Sequence, residues 1–503
     1  MGPPPRPPMA RLFFVVGTLV GLAGCASLRP PSAAATAEST VDVGAPRWQV
    51  ALQEGGDVDV GTVATRLCFD GMPPPRVGPE YGPAVRFLSD LPRPTDVTGR
   101  VLGPPLPIID DGRRSGIDTS GLPPGACVAF DVDVEAAARA IDNRDLAQVV
   151  GRSLLVSPDV WLWRPKPWPG GNLAGRLIVD DVDRLAVPFG RDVDGAFVVP
   201  PSTFALQSYT ALGIFAGRTS RTRRGATFDV VRLGNGPNND DTSNGNGVID
   251  DDTVLAWLDV AVDDVAVPLL RFPAARMMVF LVPAPGVRPV LAGFLGRGGG
   301  PSALFMVGQG PIVVEDDPEI VDEDGRWVLT HELAHALLPP VVRSDAWLNE
   351  GLTTWHQEVL PAAAGRRPRD VAEAQLRVGL RTGARRSHQD GLSLERSCRE
   401  MDARGSYQHC YWGGAALVVL LARAVGDDGV FALVRAIHAL GPVDAAPQSA
   451  TSLLERAART ASEPAARVAA ETLLMLWRRH HDGLFPAVDV AATDGGPVWP
   501  GAT

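Results

Sequence analysis

Lysine is almost missing from this 503-residue chain: Lys166 is the only one among 47 basic residues, and acids outnumber bases for a formal net charge of −11. That balance excludes a general nucleic-acid binder, and a protein held to anionic lipid by charge alone, because both need clustered positive side chains. Beyond the first 25 residues no run approaches about 18 consecutive apolar residues, the length a membrane-crossing helix requires. No internal repeat of fixed period is present. Glycine and proline are not scarce, at 54 and 46 residues. They stay below the share at which composition alone signals disorder, and they point to long loops and β-structure. With 45% hydrophobic residues, the chain can build roughly two to four domains with cores of their own.

The first 25 residues read as a targeting segment: Arg6 and Arg11 give a positive start, Leu12 to Ala23 an apolar stretch, and small residues follow. The stretch is too short to span about 30 Å of hydrocarbon. Its end, Leu22-Ala23-Gly24-Cys25, resembles the lipobox of bacterial lipoproteins. The resemblance implies export and a lipidated Cys25. With Ala26 rather than an aspartate next, it also implies the outer membrane of a Gram-negative cell. An ordinary signal peptide cut nearby is the alternative. Residues 25–46, rich in Ala, Pro and Ser, then form a flexible tether. The other cysteines are Cys68, Cys127, Cys398 and Cys410. An even number in an exported chain suggests disulfides, and sequence neighbourhood favours Cys68 with Cys127 and Cys398 with Cys410.

From Arg47 to about Leu212, short alternating or β-branched runs are broken by Pro and Gly, as in Ala126–Val134 and Gly195–Pro200. These are strand signals in sufficient number for a β-sandwich-like domain, interrupted by a helical piece over Val134–Val150. The Asn/Asp/Gly-rich stretch 238–252 resembles a calcium loop, with Asn244, Asn246, Gly247, Ile249 and Asp250 in register. Thr242 and Thr253 stand where the pattern has acids, so a Ca2+ site and a plain solvated loop both stay open. Val254–Leu270 has helical spacing, Arg276–Val282 reads as a buried strand, and Gly296–Ser302 is a backbone-exposing turn before a strand at Ala303–Val307. From Asp370 onward helices dominate, notably over Tyr411–Val425 and Ser449–His480.

The strongest chemical signal is His331-Glu332-Leu333-Ala334-His335. Positions i and i+4 share a helix face, so both imidazoles can reach one zinc ion while Glu332 stands beside a metal-bound water. Val328, Leu333 and Leu337 keep helical spacing around the motif, and Pro339-Pro340 stops the helix. A catalytic zinc needs a third protein ligand. Glu350, within Trp347-Leu-Asn-Glu-Gly351 at a plausible helix start, can supply it.

His331–His335 together with Trp347–Gly351 resembles the gluzincin metallopeptidases: the thermolysin-like catalytic domain, aminopeptidase N and the glycyl aminopeptidase group. Residues 336–349 form a shorter link than the aminopeptidase N pattern has, which leaves the subfamily open. Tyr411-Trp-Gly-Gly-Ala415, at 411 − 350 = 61 residues beyond Glu350, resembles the segment carrying the oxyanion-stabilising tyrosine in aminopeptidase N. Tyr407 and His409 are the substitutes. The glycine-rich strand taken to correspond to the amine-binding Gly-x-Met-Glu-Asn segment, Gly296–Val307, has no acid. Aminopeptidase action is therefore not supported, although such a strand can still pair with an extended peptide.

The resemblance implies an α+β protein. Its expected parts are a lipoprotein signal peptide (1–24), a tether (25–46), a β-rich N-terminal domain (47–212), a thermolysin-like domain with mixed sheet and helices (213–425) and a helical C-terminal region (426–503). The implied function is a membrane-tethered zinc peptidase acting on peptide or protein substrates: His331, His335 and Glu350 hold Zn2+, Glu332 acts as base and Tyr411 stabilises the oxyanion. A catalytically inactive, peptidase-like surface binding lipoprotein is the rival. Thr354 and Glu358, one and two turns beyond Glu350, are candidate supports of the ligands. The acid run 315–324 reads as a solvated loop. His356, His388, His438, His480 and His481 lack ligand spacing to the pair.

Overall fold

The computed structural model describes residues 45–110, 115–168, 174–234, 251–284, 290–308, 326–443 and 445–488. Cys25 and nearly all of the tether, most of the 238–252 loop and the 315–324 acid run lie outside them. The architecture is α+β: sheets first, a mixed sheet in the middle, helices last.

The N-terminal strands form a six-stranded sheet in the order Phe197–Val199, Gly175–Val179, Arg47–Gln53, Thr62–Cys68, Cys127–Asp133, Arg93–Thr95, with two four-stranded sheets beside it. In Arg47–Gln53, Trp48, Val50 and Leu52 alternate inward, the period that one buried face demands. They meet Trp163, Phe130 and Leu67 in a core rich in aromatic rings. Cys68 lies opposite Cys127 in register and is bonded to it, and Cys398 is bonded to Cys410; both pairings are those expected from sequence.

The helical reading of Val134–Val150 was too long. The helix, capped by Asp133 accepting from the Ala136 N–H at 2.7 Å, stops at Ala140. The Asn143 side chain then accepts from the Asp145 N–H to form a turn. Ala147–Val150 is a strand paired with Ser153–Val156. Alanine and valine there fit either periodicity, and the turn chemistry decides.

The central five-stranded sheet runs Gly217–Arg223, Ala226–Arg232, Arg276–Ala284, Ser302–Gly308, Val290–Gly296. The two inner pairings are parallel and the two outer ones antiparallel. Its middle strand is a near-continuous apolar run because it is covered on both faces. On one face Phe228, Val279 and Phe305 pack under helices through Leu333, Leu352 and Leu417. On the other, Met278, Phe280 and Leu304 meet Tyr209 and Leu155 of the N-terminal region.

The helical layer begins with Asp251–Val265 and the motif helix Arg326–Ala334, and continues through Ala346–Ala363, Arg369–Asp390 and the long Tyr407–His438, interrupted at Gly426 with φ 72°. The stretch after Ser449 resolves into Ala450–Thr460 and Pro464–His480. Among the described residues no helix is long and apolar enough to cross a membrane.

One contact in this layer positions the site. The helix carrying Glu350 touches the long helix backbone to backbone. A Cβ on Gly351 would lie 2.4 Å from the Gly414 carbonyl carbon, and one on Gly414 would lie 2.3 Å from the Trp347 carbonyl oxygen. No side chain fits there. Gly414→Val is therefore expected to destabilise the fold by about 1–3 kcal/mol or more in denaturant unfolding. It should also weaken metal binding, because the helix bearing Glu350 must shift.

Candidate metal centre

The motif helix ends in a single 3-10 turn, His335–Leu337, so His331 and His335 come from successive turns with ring centroids 5.0 Å apart. Glu350 enters from the next helix. Its Oε2 lies 3.5 Å from His331 Nε2 and 3.6 Å from His335 Nε2. The three residues offer ligand atoms all within 4.8 Å of one another.

The short link between the helices delivers Glu350 because it is anchored on a distant segment. Val342 N–H donates to the Gln448 carbonyl at 2.9 Å, Gln448 N–H donates to the Pro340 carbonyl at 3.0 Å, and Asp345 accepts from the Ala450 N–H at 2.8 Å.

Second contacts fix the ligands. His331 Nδ1 donates to Gln357 Oε1 at 2.8 Å, which leaves the Nε2 lone pair facing Glu350. Gln357 Nε2 donates to Glu358 Oε1 at 2.9 Å, and Glu358 is held by Arg367 at 2.7 Å. Glu358 thus supports His331 through Gln357, which stands two turns beyond Glu350 on the same helix face. The Thr354 hydroxyl is buried without a hydrogen-bond partner, whereas Thr353 Oγ1 lies 3.5 Å from His331 Nε2.

A zinc ion fits the residues present. Glu350 Oε2 is buried and receives no hydrogen bond, yet two imidazole nitrogens face it. A carboxylate oxygen so placed calls for a cation, and two imidazoles with one carboxylate are a zinc donor set. Burial works against ionising Glu350, but the two imidazoles and the Arg297 charge together hold it below the usual carboxylate range. Burial drives His335 down to about 4. For His331 burial also pulls down, and the adjacent Glu350 carboxylate, with Glu332 and Gln357, outweighs it and raises it.

Glu332 is half-buried, and its removal from water, with the Glu350 charge adding, raises it to about 7, a value suited to taking and returning a proton near neutrality. It accepts the Leu295 N–H of the edge strand. Gly293 of that strand is where the backbone passes Glu332: a Cβ there would lie 2.5 Å from Glu332 Cγ. The strand beside the motif helix is therefore Val290–Gly296, antiparallel to Ser302–Gly308, and not the Gly296–Val307 stretch compared from sequence. It too contains no acid. Two glycines inside a short apolar run hid it as loop.

Tyr411 stacks on His331 with ring centroids 5.7 Å apart. Burial, then the charges of Glu350 and Glu332, push its phenol well above the ordinary range, so it stays protonated and able to donate. The substitutes are committed elsewhere: Tyr407 donates to Asp402 at 3.1 Å, and His409 Nε2 meets the Leu484 carbonyl at 2.6 Å. His356 is buried against Trp355 and Phe431. His481 groups with Glu395 and Asp482 near the surface, away from the pair. Arg297, whose charge acts on Glu350, carried no signal in the sequence.

No protein-family model matches the sequence, and no curated protein is similar to it. Solved structures share its fold. An aminopeptidase N family protein from Idiomarina loihiensis is 13% identical over 87% of this chain and 71% of its own, with a TM-score of 0.55. An M1 zinc metallopeptidase from Deinococcus radiodurans, in a mutant form bound to a Tyr-Ser-Ala substrate, is 15% identical over 89% and 96%, with a TM-score of 0.52. The unmutated enzyme from the same organism is 15% identical over 91% and 97%, with a TM-score of 0.51. The chain has the two-domain M1 metallopeptidase fold.

Elemental analysis of the dialysed protein is expected to give about one zinc per chain, lost in Glu350→Ala. Gln357→Leu should keep the fold and bind zinc about 10–100-fold more weakly in chelator competition.

Proposed function

We propose that the chain is a zinc-dependent peptidase that hydrolyses peptide bonds. The observation that carries this reading is the convergence of three candidate ligand side chains from two helices, with a half-buried carboxyl and a protonated phenol alongside. The shared fold supports it. Zinc held by His331, His335 and Glu350 would supply Lewis-acid polarisation of the scissile carbonyl and activation of water.

The remaining chemistry belongs to the chain's own residues. Glu332 accepts the proton of the attacking water, and its raised affinity for protons lets it hold that proton and pass it to the departing amine. Tyr411 donates a hydrogen bond to the oxygen on which charge develops. Among the described residues the edge strand Val290–Gly296 pairs on one side only, so it offers backbone N–H and C=O groups to an extended peptide. Because the strand carries no acid to hold a free amine, recognition through the peptide backbone fits it better than recognition of an N-terminus.

The same reading makes the protein an exported lipoprotein, tethered through Cys25 and facing peptide or protein substrates outside the cytoplasm. It rests on the Leu22–Cys25 motif.

Glu332→Gln should retain zinc and abolish turnover of a peptide library. Turnover surviving in that variant refutes the mechanism, and a zinc-loaded parent that cleaves nothing favours the non-hydrolytic binding protein. Tyr411→Phe should lower kcat about 10²–10³-fold with little change in KM. Cys25→Ser should move the protein from the membrane fraction to the soluble fraction on cell fractionation.

A further inference from the structure

The motif helix ends in a way that leaves a problem. In a helix the carbonyl of His335 would take the N–H of residue 339, and that of Ala336 the N–H of residue 340. Both positions are proline and have no N–H to give. The Leu338 N–H reaches the His335 carbonyl only at 3.4 Å. Residues 333–340 are all buried, so water is a poor substitute.

Arg297 fills the gap from outside the helix. Its Nη2 donates to the His335 carbonyl at 2.7 Å, and its Nη1 donates to the Leu338 carbonyl at 2.6 Å and the Val443 carbonyl at 3.3 Å. Only 8% of the residue is exposed. A positive charge at this end also complements the helix dipole.

The loop that carries Arg297 is itself wedged in place. Arg297 and Gly298 N–H groups both donate to the Gln207 carbonyl of the N-terminal region, at 2.8 and 2.9 Å. A Cβ on Gly298 would lie 2.5 Å from the Leu206 carbonyl oxygen, and one on Gly300 would lie 2.6 Å from the Pro188 carbonyl oxygen. The glycine run after Arg297 is thus the condition for the loop to fit. Arg297 joins the N-terminal sheets, the segment after the long helix and a metal ligand.

We infer that Arg297 is a positioning residue for the metal centre: its guanidinium replaces the backbone donor that Pro339 lacks at the His335 carbonyl, ties the Leu338 carbonyl beside it, and so fixes where the His335 imidazole stands. The inference rests on the metal-centre reading above.

The test uses the full chain without its leader, stripped of metal and titrated with Zn2+ against a chelator, with the visible spectrum of Co2+ in the same site as a report on ligand geometry. Arg297→Met should bind Zn2+ about 10–100-fold more weakly and shift the Co2+ bands. Arg297→Lys, which keeps the charge but cannot reach both carbonyls as the guanidinium does, should recover much of the affinity and stay several-fold below the parent. Parent-like affinity and an unchanged Co2+ spectrum in the Met variant overturn the assignment, even if its thermal stability falls. Should the Met variant fail to fold, the Lys variant decides: several-fold weaker binding with shifted bands supports the role, and parent-like values overturn it. A parent that takes up neither metal overturns the metal-centre reading itself, a failure distinct from that of Arg297.

Discussion

Everything at the candidate site depends on two helices that touch through glycine backbones. Gly351 follows Glu350 directly, and Gly414 is three residues beyond Tyr411. Their contact sets how far the Glu350 carboxylate and the Tyr411 phenol lie from the histidine pair. The contact is steric and admits no compromise, because any side chain would drive one helix away from the other. The sheet beneath and the N-terminal sheets behind it act as the bed on which this one distance is held.

A second constraint is electrical. His331, His335 and Arg297 are buried and Glu332 and Glu350 half-buried beside them, and desolvation pushes each towards its neutral form. Glu350 keeps its charge only because the imidazoles and a guanidinium outweigh that penalty. Glu332 has the edge-strand Leu295 N–H and opposite charge at His331, which is too little to offset burial, and it titrates near neutrality. Two carboxyl groups a short distance apart in sequence therefore acquire different proton affinities from their surroundings.

The reading from sequence succeeded where the relevant geometry is local. Residues 331 and 335 face together because a helix turns every 3.6 residues, and Trp48, Val50 and Leu52 face inward because a strand alternates. The two disulfides and the α+β order were legible for similar reasons. It failed where partners come from different parts of the fold. Gln357 matters only because its helix crosses the motif helix at one depth, and Arg297 matters only because Pro339, elsewhere in the chain, lacks a hydrogen. The over-long helix at Val134–Val150 and the misplaced edge strand share a cause, since short runs of Ala, Val, Leu and Gly satisfy more than one period.

The partner of His331 has a consequence of its own. A carboxylate at Nδ1 would share its negative charge with the ring and make the opposite nitrogen a stronger base. Gln357 fixes the same tautomer and the same orientation with a neutral amide. The imidazole is left the weaker electron donor, so a bound cation remains more electron-poor than it would beside a carboxylate-backed histidine. A cation held there would polarise a carbonyl more strongly and be gripped less tightly than beside a carboxylate-backed histidine.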